Sequence, residues 1–376
     1  MLVRPHGSRV PAFAVLLLVS VPLWAGCGIE GIGQNADSGD DRAAVATQGT
    51  SGLDAPASDV AGSDAQRRVP AEGTSTRAAT YAGPVLDLPP LTEEEEAAAL
   101  EAHETERDWA IARGTVEWAK GQGLGALPTG ELAALIAATF VGAPYEPGTL
   151  ELPGEERLVV NLRTFDCVTL VEHALVLARM AALSQEEWAG EHTGLDPEEA
   201  FRERFRQELA GLRYRNGVAD GYLSRLHYFT EWLDRGIDAG EFTEVTGELG
   251  GVVDDRPIHF MSSNPHAYRQ LDEDPALVDE IRRIEERLSQ RERLYIPEDR
   301  IHEVAGGIRN GDIIAAVSGV DGLDIAHTGF ALWHDDRLHL LHAPLVGDSV
   351  EVSARPLADR IQRNSGQVGI RVVRPR

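Results

Sequence analysis

Apolar and polar positions alternate at helical spacing through the first two thirds of the chain and at strand spacing near its end. The run Leu91 to Gly121 reads as one helix: Glu93 to Glu96 acidify its first turn, and Leu100, Trp109, Ile111, Val116 and Trp118 supply apolar positions. A second helix is predicted from Thr129, as its cap, to Phe140, with Leu132, Leu135, Ile136 and Phe140 on one stripe. A short extended run at Leu158-Val159-Val160 leads to a third helix that Asp166 opens and Met180 closes, burying Val168, Val171, Ala174, Leu175 and Ala178. Two more helices are expected at Pro197 to Leu212 and Leu223 to Arg235. The charged segment 275–293 carries Leu277, Ile281, Ile284 and Leu288 at helical spacing, which predicts an amphipathic surface helix inserted into the fold, without chemistry of its own.

After Gly311 the character changes to strands. Strands are expected at Ile313 to Val317, Ile325 to Trp333, Leu338 to His342, Ser349 to Val352 and Val368 to Val373, with a polar turn at His334-Asp335-Asp336-Arg337. Helices first and a consecutive antiparallel meander afterwards predict an α+β fold, a helical half packed on a C-terminal sheet.

The N-terminus departs from both patterns. Arg4 and Arg9 precede an apolar run from Val10 to Trp24, then Ala25-Gly26 and Cys27. This is the layout of a secretory signal, residues 1–27. It resembles a bacterial lipobox, with Trp24 where a leucine is usual, and on that resemblance Cys27 is the lipidated residue. Gly28 after it, in place of aspartate, resembles the outer-membrane sorting pattern of Gram-negative lipoproteins. The implied location is the periplasmic face of the outer membrane, with the membrane contacted through the lipid. Residues 28–90 are rich in Gly, Ala, Ser, Thr, Asp and Pro, too poor in large apolar side chains to repay ordering. They are expected to form a disordered tether with a span of roughly 40 Å, leaving 91–376 as the folded domain.

Charge and cysteine content narrow the function. With 35 basic and 61 acidic side chains, a net charge of −26 and no basic stripe, the chain is unsuited to nucleic acid. Two cysteines make no disulfide scaffold. If Cys27 carries lipid, Cys167 is expected to be an unpaired thiol. With Asp166 as helix cap, Cys167 falls in the first helical turn, where free amides and the helix dipole stabilise a thiolate and favour nucleophilic attack; a lone cysteine is otherwise most often an inert core residue. A thiol nucleophile needs a base and the base an orienting group. His327, at the head of a strand and followed by a small residue that lets a helix approach, is the expected base. His342, one hairpin later in Leu340-Leu341-His342-Ala343, is the expected orienter.

These residues carry a resemblance. An Asp-Cys helix start followed by a sheet presenting His-Thr-Gly and His-Ala is similar to the NlpC-type, papain-like cell-wall cysteine peptidases. Gly142-Ala143-Pro144-Tyr145, Phe165-Asp166-Cys167-Val168-Thr169-Leu170-Val171-Glu172, Gly221 to Phe229, Phe260-Met261-Ser262, Asn310 to Ile314, Asp324 to Phe330 and Gly369 to Pro375 resemble, within that group, the N-acetylmuramoyl-L-alanine amidase-like family. The resemblance runs from about Thr129 to the end. It implies a papain-like, NlpC-type fold with Cys167 as nucleophile, His327 as base and His342 as third polar residue. It also implies cleavage of the amide between the lactyl group of N-acetylmuramic acid, in some members its 1,6-anhydro form, and L-alanine in peptidoglycan or muropeptides, with no cofactor. Arg225, His227 and Tyr228 are the expected readers of substrate, Arg225 as a bidentate partner for a carboxylate; the alternative is that Arg225 packs on a neighbouring carboxylate of the protein. Ser262 and Asn264 are further polar candidates.

Two other readings stay open on sequence. A zinc amidase is suggested by His327, His339 and His342 within one hairpin, although strand parity sends His339 to the face opposite His342 and no His-Glu-x-x-His stretch exists. A noncatalytic wall-binding lipoprotein is the other; its expected sign, clustered surface aromatics, is not met by six scattered tryptophans.

Overall fold

A computed structural model describes residues 102–189 and 194–376, together with individual positions between 83 and 99. The expected signal, the lipidation site Cys27 and nearly all of the expected tether lie outside the described residues.

Seven principal helices appear in chain order: α1 (Glu106–Gly121), α2 (Thr129–Ala138), α3 (Cys167–Ala182), α4 (Pro197–Arg213), α5 (Phe229–Asp238), α6 (Pro275–Gln290) and α7 (Leu357–Arg363). The strands are β1 (Phe242–Glu244), β2 (Val252–Val253), β3 (Leu294–Pro297), β4 (Ile313–Ser318), β5 (Ile325–His334), β6 (Arg337–His342), β7 (Glu351–Val352) and β8 (Gln367–Pro375).

The single helix expected from Leu91 is divided. Helical backbone occurs at Glu94-Glu95 and Ala98-Ala99, residues 102–105 are not helical, and α1 starts afresh at Glu106. The cause is a capping box: the Thr105 side chain accepts from the Asp108 amide while the Asp108 carboxylate accepts from the Thr105 amide, a pairing of about 1 kcal/mol. Asp108 then also accepts from the Leu162 amide and from Arg163 Nε, at 2.8 and 3.0 Å, tying α1 to the loop that enters α3. At α2 the cap position belongs to Pro128, and Thr129 is already helical. The helix expected from Leu223 begins only at Phe229. Residues 225–228 are extended instead, because Arg225 bridges to Tyr214 and the Leu226 amide donates to the Arg213 carbonyl at 2.9 Å.

The sheet order is β2-β3-β8-β4-β5-β6-β7, with β1 also on β8, and every pairing is antiparallel. The fold is therefore α+β, with β4 to β7 in the expected meander. The last strand does not extend that meander: β8 returns beside β4 and joins it to the short strands β1 and β3, which sequence pattern did not reveal. Helix α3 runs through the centre, packed against α1, α2, α4 and β5. Its sequence is apolar on nearly every side, and Leu170, Val171, Ala174, Leu175 and Ala178 are sealed in the main core. Each such Leu or Val contributes roughly 1.5–3 kcal/mol by leaving water. Helix α6 is amphipathic as expected, turning Ile281, Ile284 and Leu288 inward, but it also buries a carboxylate, Glu285.

Candidate active site

The first turn of α3 and the head of β5 meet at one cavity. Asp166 and Val168 line it from α3, and Asp324 and Ile325 line it from β5. Asp166 is the N-cap of α3: its carboxylate accepts from the Thr169 amide at 2.7 Å and the Thr169 hydroxyl at 2.9 Å. Burial pushes the Asp166 carboxyl above its ordinary range, against those bonds. Cys167 is consequently the first helical residue, as expected. Two features of it were not expected. Its side chain is fully buried, within the same apolar cluster as Ile325 and Phe165, and its sulfur is in a disulfide. The unpaired thiol anticipated from sequence is thus oxidised, and it is covered because the helix that presents it is the core of the domain. Any nucleophilic chemistry belongs to its reduced form.

His327 lies on β5 directly after an irregularity. Val317 pairs with Ile325 but Ala316 pairs with His327, so Ala326 is one residue too many for β4. Such a bulge re-aims the side chain beside it. His327 Nε2 and His342 Nδ1 are 2.7 Å apart with the rings nearly perpendicular, so the structure brings together the two histidines expected from neighbouring strands. Gly329 makes the approach possible. A Cβ there would lie 2.5 Å from the Leu341 carbonyl oxygen and 2.9 Å from His342 Cβ, so the small residue admits strand β6, not a helix.

Strand register adds a residue that sequence reasoning missed. His342 pairs with Glu351 of β7, and His342 Nε2 lies 3.6 Å from Glu351 Oε1. At that distance the contact is electrostatic more than a hydrogen bond. It nonetheless favours a proton on His342 Nε2, which leaves Nδ1 to accept from His327 Nε2–H and directs the basic lone pair of His327 to Nδ1. Glu351 in turn is held below the ordinary carboxylate range, first by His342. Burial, then the charges of Arg360 and His342, pushes the pKa of His327 well below the usual histidine value, so the ring is neutral near pH 7.

His339 is elsewhere. Its Nδ1 donates to the Ser353 carbonyl at 2.7 Å, on the side away from His342 that strand parity assigns. Among the described residues no group of three or more His, Cys, Asp or Glu side chains is arranged to hold a metal ion.

The cavity, about 130 Å³, is walled largely by Tyr145, Leu226, Tyr228, Phe229, Met261 and Tyr268. Arg225 and His227 line it as well, but both are committed to the protein. Arg225 is buried between Glu151, which it bonds directly, and Glu156 at 3.4 Å, so its charge is already balanced. A substrate carboxylate there competes with two internal ones. His227 donates Nε2–H to the Tyr222 carbonyl at 2.8 Å and is kept neutral by burial and by Arg225. Tyr228 presents its ring but not its hydroxyl, which donates to Glu285 at 2.6 Å and accepts from the Met261 amide at 2.9 Å. Its expected hydrogen bond to substrate is replaced by this internal role. Ser262 does not line the cavity: its amide donates to Glu285 at 2.9 Å and its hydroxyl to the His259 carbonyl at 3.4 Å. Asn264 likewise donates to the Phe260 carbonyl at 2.8 Å. Helix α6, read as inert, therefore sets one wall of the cavity through Glu285.

Two polar groups facing the cavity were not foreseen. Asp324 accepts from the Thr230 amide at 2.8 Å, and burial raises its pKa. Tyr268 is buried, and its hydroxyl has no hydrogen-bond partner among the described residues. Asp324 stands in the stretch Asp324-Ile325-Ala326-His327 and was legible as part of that motif; nothing in the sequence marks Tyr268.

Comparison with known proteins follows the same residues. Residues 135–370 match the AmiA-like family, N-acetylmuramoyl-L-alanine amidase-like. The crystal structure of an N-acetylmuramoyl-L-alanine amidase from Bacteroides uniformis is 34% identical and superposes with a TM-score of 0.59, covering 66% of this chain and 99% of that one. A candidate xylanase from Bacteroides fragilis is also 34% identical, with a TM-score of 0.56 over 63% of this chain and 98% of that one. A Legionella pneumophila protein at 20% identity and a TM-score of 0.53, covering 73% of this chain and 95% of that one, shares the fold. No curated protein matches the sequence.

Proposed function

We propose, for a chain that belongs to the AmiA-like, N-acetylmuramoyl-L-alanine amidase-like family, that reduced Cys167 cleaves the amide joining the lactyl group of N-acetylmuramic acid to L-alanine in peptidoglycan or its fragments. The arrangement is read as the papain-like, NlpC-type one: a cysteine at a helix start, and two imidazoles in series on the sheet. The observation that supports the reading is the 2.7 Å contact between His327 and His342 on adjoining strands of the sheet against which α3 packs.

The thiol proton passes to His327 Nδ1, and the thiolate adds to the lactyl carbonyl carbon. The tetrahedral oxyanion is met by backbone amides at the start of α3, the Cys167 amide among them, each such donor being worth about 2.7–4 kcal/mol in other hydrolases. The carbon–nitrogen bond then breaks as His327 returns its proton to the alanine nitrogen, leaving a thioester. Water, deprotonated by His327, adds to the thioester carbonyl; the muramyl acid leaves and the thiol is restored. The aromatic walls of the cavity suit the face of a sugar, and the Tyr268 hydroxyl suits its polar edge. Location belongs to the same reading: export, a periplasmic outer-membrane site and, in the form in which Cys167 is the free thiol, lipidation at Cys27 give an anchored enzyme access to wall fragments.

The test is digestion of defined muropeptides, with and without the 1,6-anhydro end, by the reduced protein. Mass spectrometry is expected to find peptides that begin at L-alanine, and thiol alkylation to stop their release while a chelator does not. Cleavage at another bond, or activity that survives alkylation and fails with a chelator, overturns the assignment.

A further inference from the structure

The chain reads Pro147-Gly148-Thr149-Leu150-Glu151-Leu152-Pro153-Gly154, four residues between two Pro-Gly pairs. Both glycines lie in the left-handed region, Gly148 at φ 72° and Gly154 at φ 98°, where other residues are strained. The stretch forms neither helix nor strand. Leu150 and Leu152 are half-buried and belong to none of the apolar clusters among the described residues. Its hydrogen bonds to the rest of the described chain come from two arginine side chains. Arg225 donates to the Glu151 carboxylate and, at 3.3 Å, to the Leu150 carbonyl, and Arg269 donates to the Leu152 carbonyl at 3.2 Å. The stretch is a strap, tied by side chains alone and bounded by two swivels.

Gly148, Leu150 and Glu151 line the aromatic cavity, which Asp166 and Val168 of α3 also line. Leu150, Leu152 and Gly154 line a neighbouring pocket of about 430 Å³, so the strap is a wall common to both. Tyr268 belongs to the first pocket and Tyr222 to the second. Both rings are buried, and neither hydroxyl has a hydrogen-bond partner among the described residues; the Thr149 hydroxyl and Arg225 Nε are in the same state. These groups are neighbours: the Arg225 guanidinium lies 5.4 Å from the Tyr222 ring, and Thr149 is in the strap itself. Native interiors seldom leave buried polar groups unmatched, and here four are stranded around one short segment. We infer that residues 148–154 are a lid that swings on Gly148 and Gly154 and is latched shut by the Glu151–Arg225 ion pair, and that its opening joins the two pockets into one cleft and uncovers the Tyr222 and Tyr268 hydroxyls. The lid in its shut position explains why the aromatic cavity holds only about 130 Å³ beside a larger neighbour. The uncovered hydroxyls and the Arg225 N–H are donors, fitted to a ligand that carries hydrogen-bond acceptors. The lid is independent of the amidase reading.

The experiment is hydroxyl-radical footprinting of the full-length protein, with oxidation at each tyrosine read by peptide mass spectrometry, for wild type, Glu151→Gln and Arg269→Gln. Tyr228, buried with its hydroxyl on Glu285, is the internal reference for general loosening. Glu151→Gln removes the charge that latches the lid and is expected to raise oxidation of Tyr222 and Tyr268 together by about tenfold, the worth of one charge-assisted bond, with Tyr228 unchanged. Arg269 is exposed, so Arg269→Gln leaves the fold intact while cutting the second tie, and a smaller rise at the same two tyrosines is expected. Where Tyr228 follows in Glu151→Gln, Arg269→Gln decides. Unchanged protection of Tyr222 and Tyr268 in both variants marks a fixed wall and overturns the inference. So does a rise confined to one of the two tyrosines, or a rise at Tyr228 equal to theirs in Arg269→Gln.

Discussion

His327 Nε2 and His342 Nδ1 sit 2.7 Å apart on neighbouring antiparallel strands, and Glu351, register partner of His342, stands on the far side of the second ring. The three form a series in which each group sets the proton of the next, ending on the lone pair of His327. Removing a link is expected to cost turnover more than affinity. His342→Ala should lower kcat by about 10²–10⁴-fold and Glu351→Ala by about tenfold or less, since the Glu351 contact is long and partly exposed. Steady-state kinetics decides: a rise in KM with kcat kept would place both residues in binding.

Gly329 is the point at which β6 comes close enough for that contact. Gly329→Ala places a methyl against the Leu341 carbonyl and His342, and is expected to destabilise the fold by about 1–3 kcal/mol and lower kcat together. Denaturant unfolding and kinetics on one preparation test it; full stability with full activity would mean that the strands have room to spare.

Tyr228→Phe separates two roles for one hydroxyl. The variant leaves the buried Met261 amide without its acceptor, which should cost about 1–3 kcal/mol of unfolding free energy. A variant as stable as wild type but with a raised KM would return the hydroxyl to the substrate.

His173, buried on α3, donates Nδ1–H to the Thr169 carbonyl at 2.7 Å and has its pKa lowered to about 3, first by burial. The unfolded chain therefore binds a proton that the folded state refuses. The neutral ring's contribution to stability is complete above the ordinary value of 6.5 and is lost as pH falls from there toward 3. Replacing it, as in His173→Gln, should lessen the fall in unfolding free energy across that window by about 1.4 kcal/mol per pH unit. Identical slopes for the two proteins would contradict a neutral buried His173.

The long elements were legible because the apolar positions of α3 and the apolar runs of β4 to β6, set off by polar turns, are long enough to stand out. The Asp-Cys helix start and the two histidines were legible for the same reason: each sits at an end of such an element. What escaped the sequence depends on partners distant in the chain. Thr105 and Asp108 restart a helix that apolar spacing alone continues. The pairing of Arg213 and Tyr214 with residues 225–226 holds a helix-like sequence extended. Glu351 acts through strand register and Glu285 through the packing of α6, neither of which leaves a local mark. Cys167 is the sharpest case, since its place at the helix start was readable while its burial and its oxidised state were not.

The most direct measurement is turnover of a defined muropeptide by wild type and Cys167→Ala, each assayed before and after reduction. Release of peptides beginning at L-alanine by reduced wild type alone, with none from the variant or the oxidised protein, is the predicted result. Equal turnover by wild type and Cys167→Ala would contradict the account.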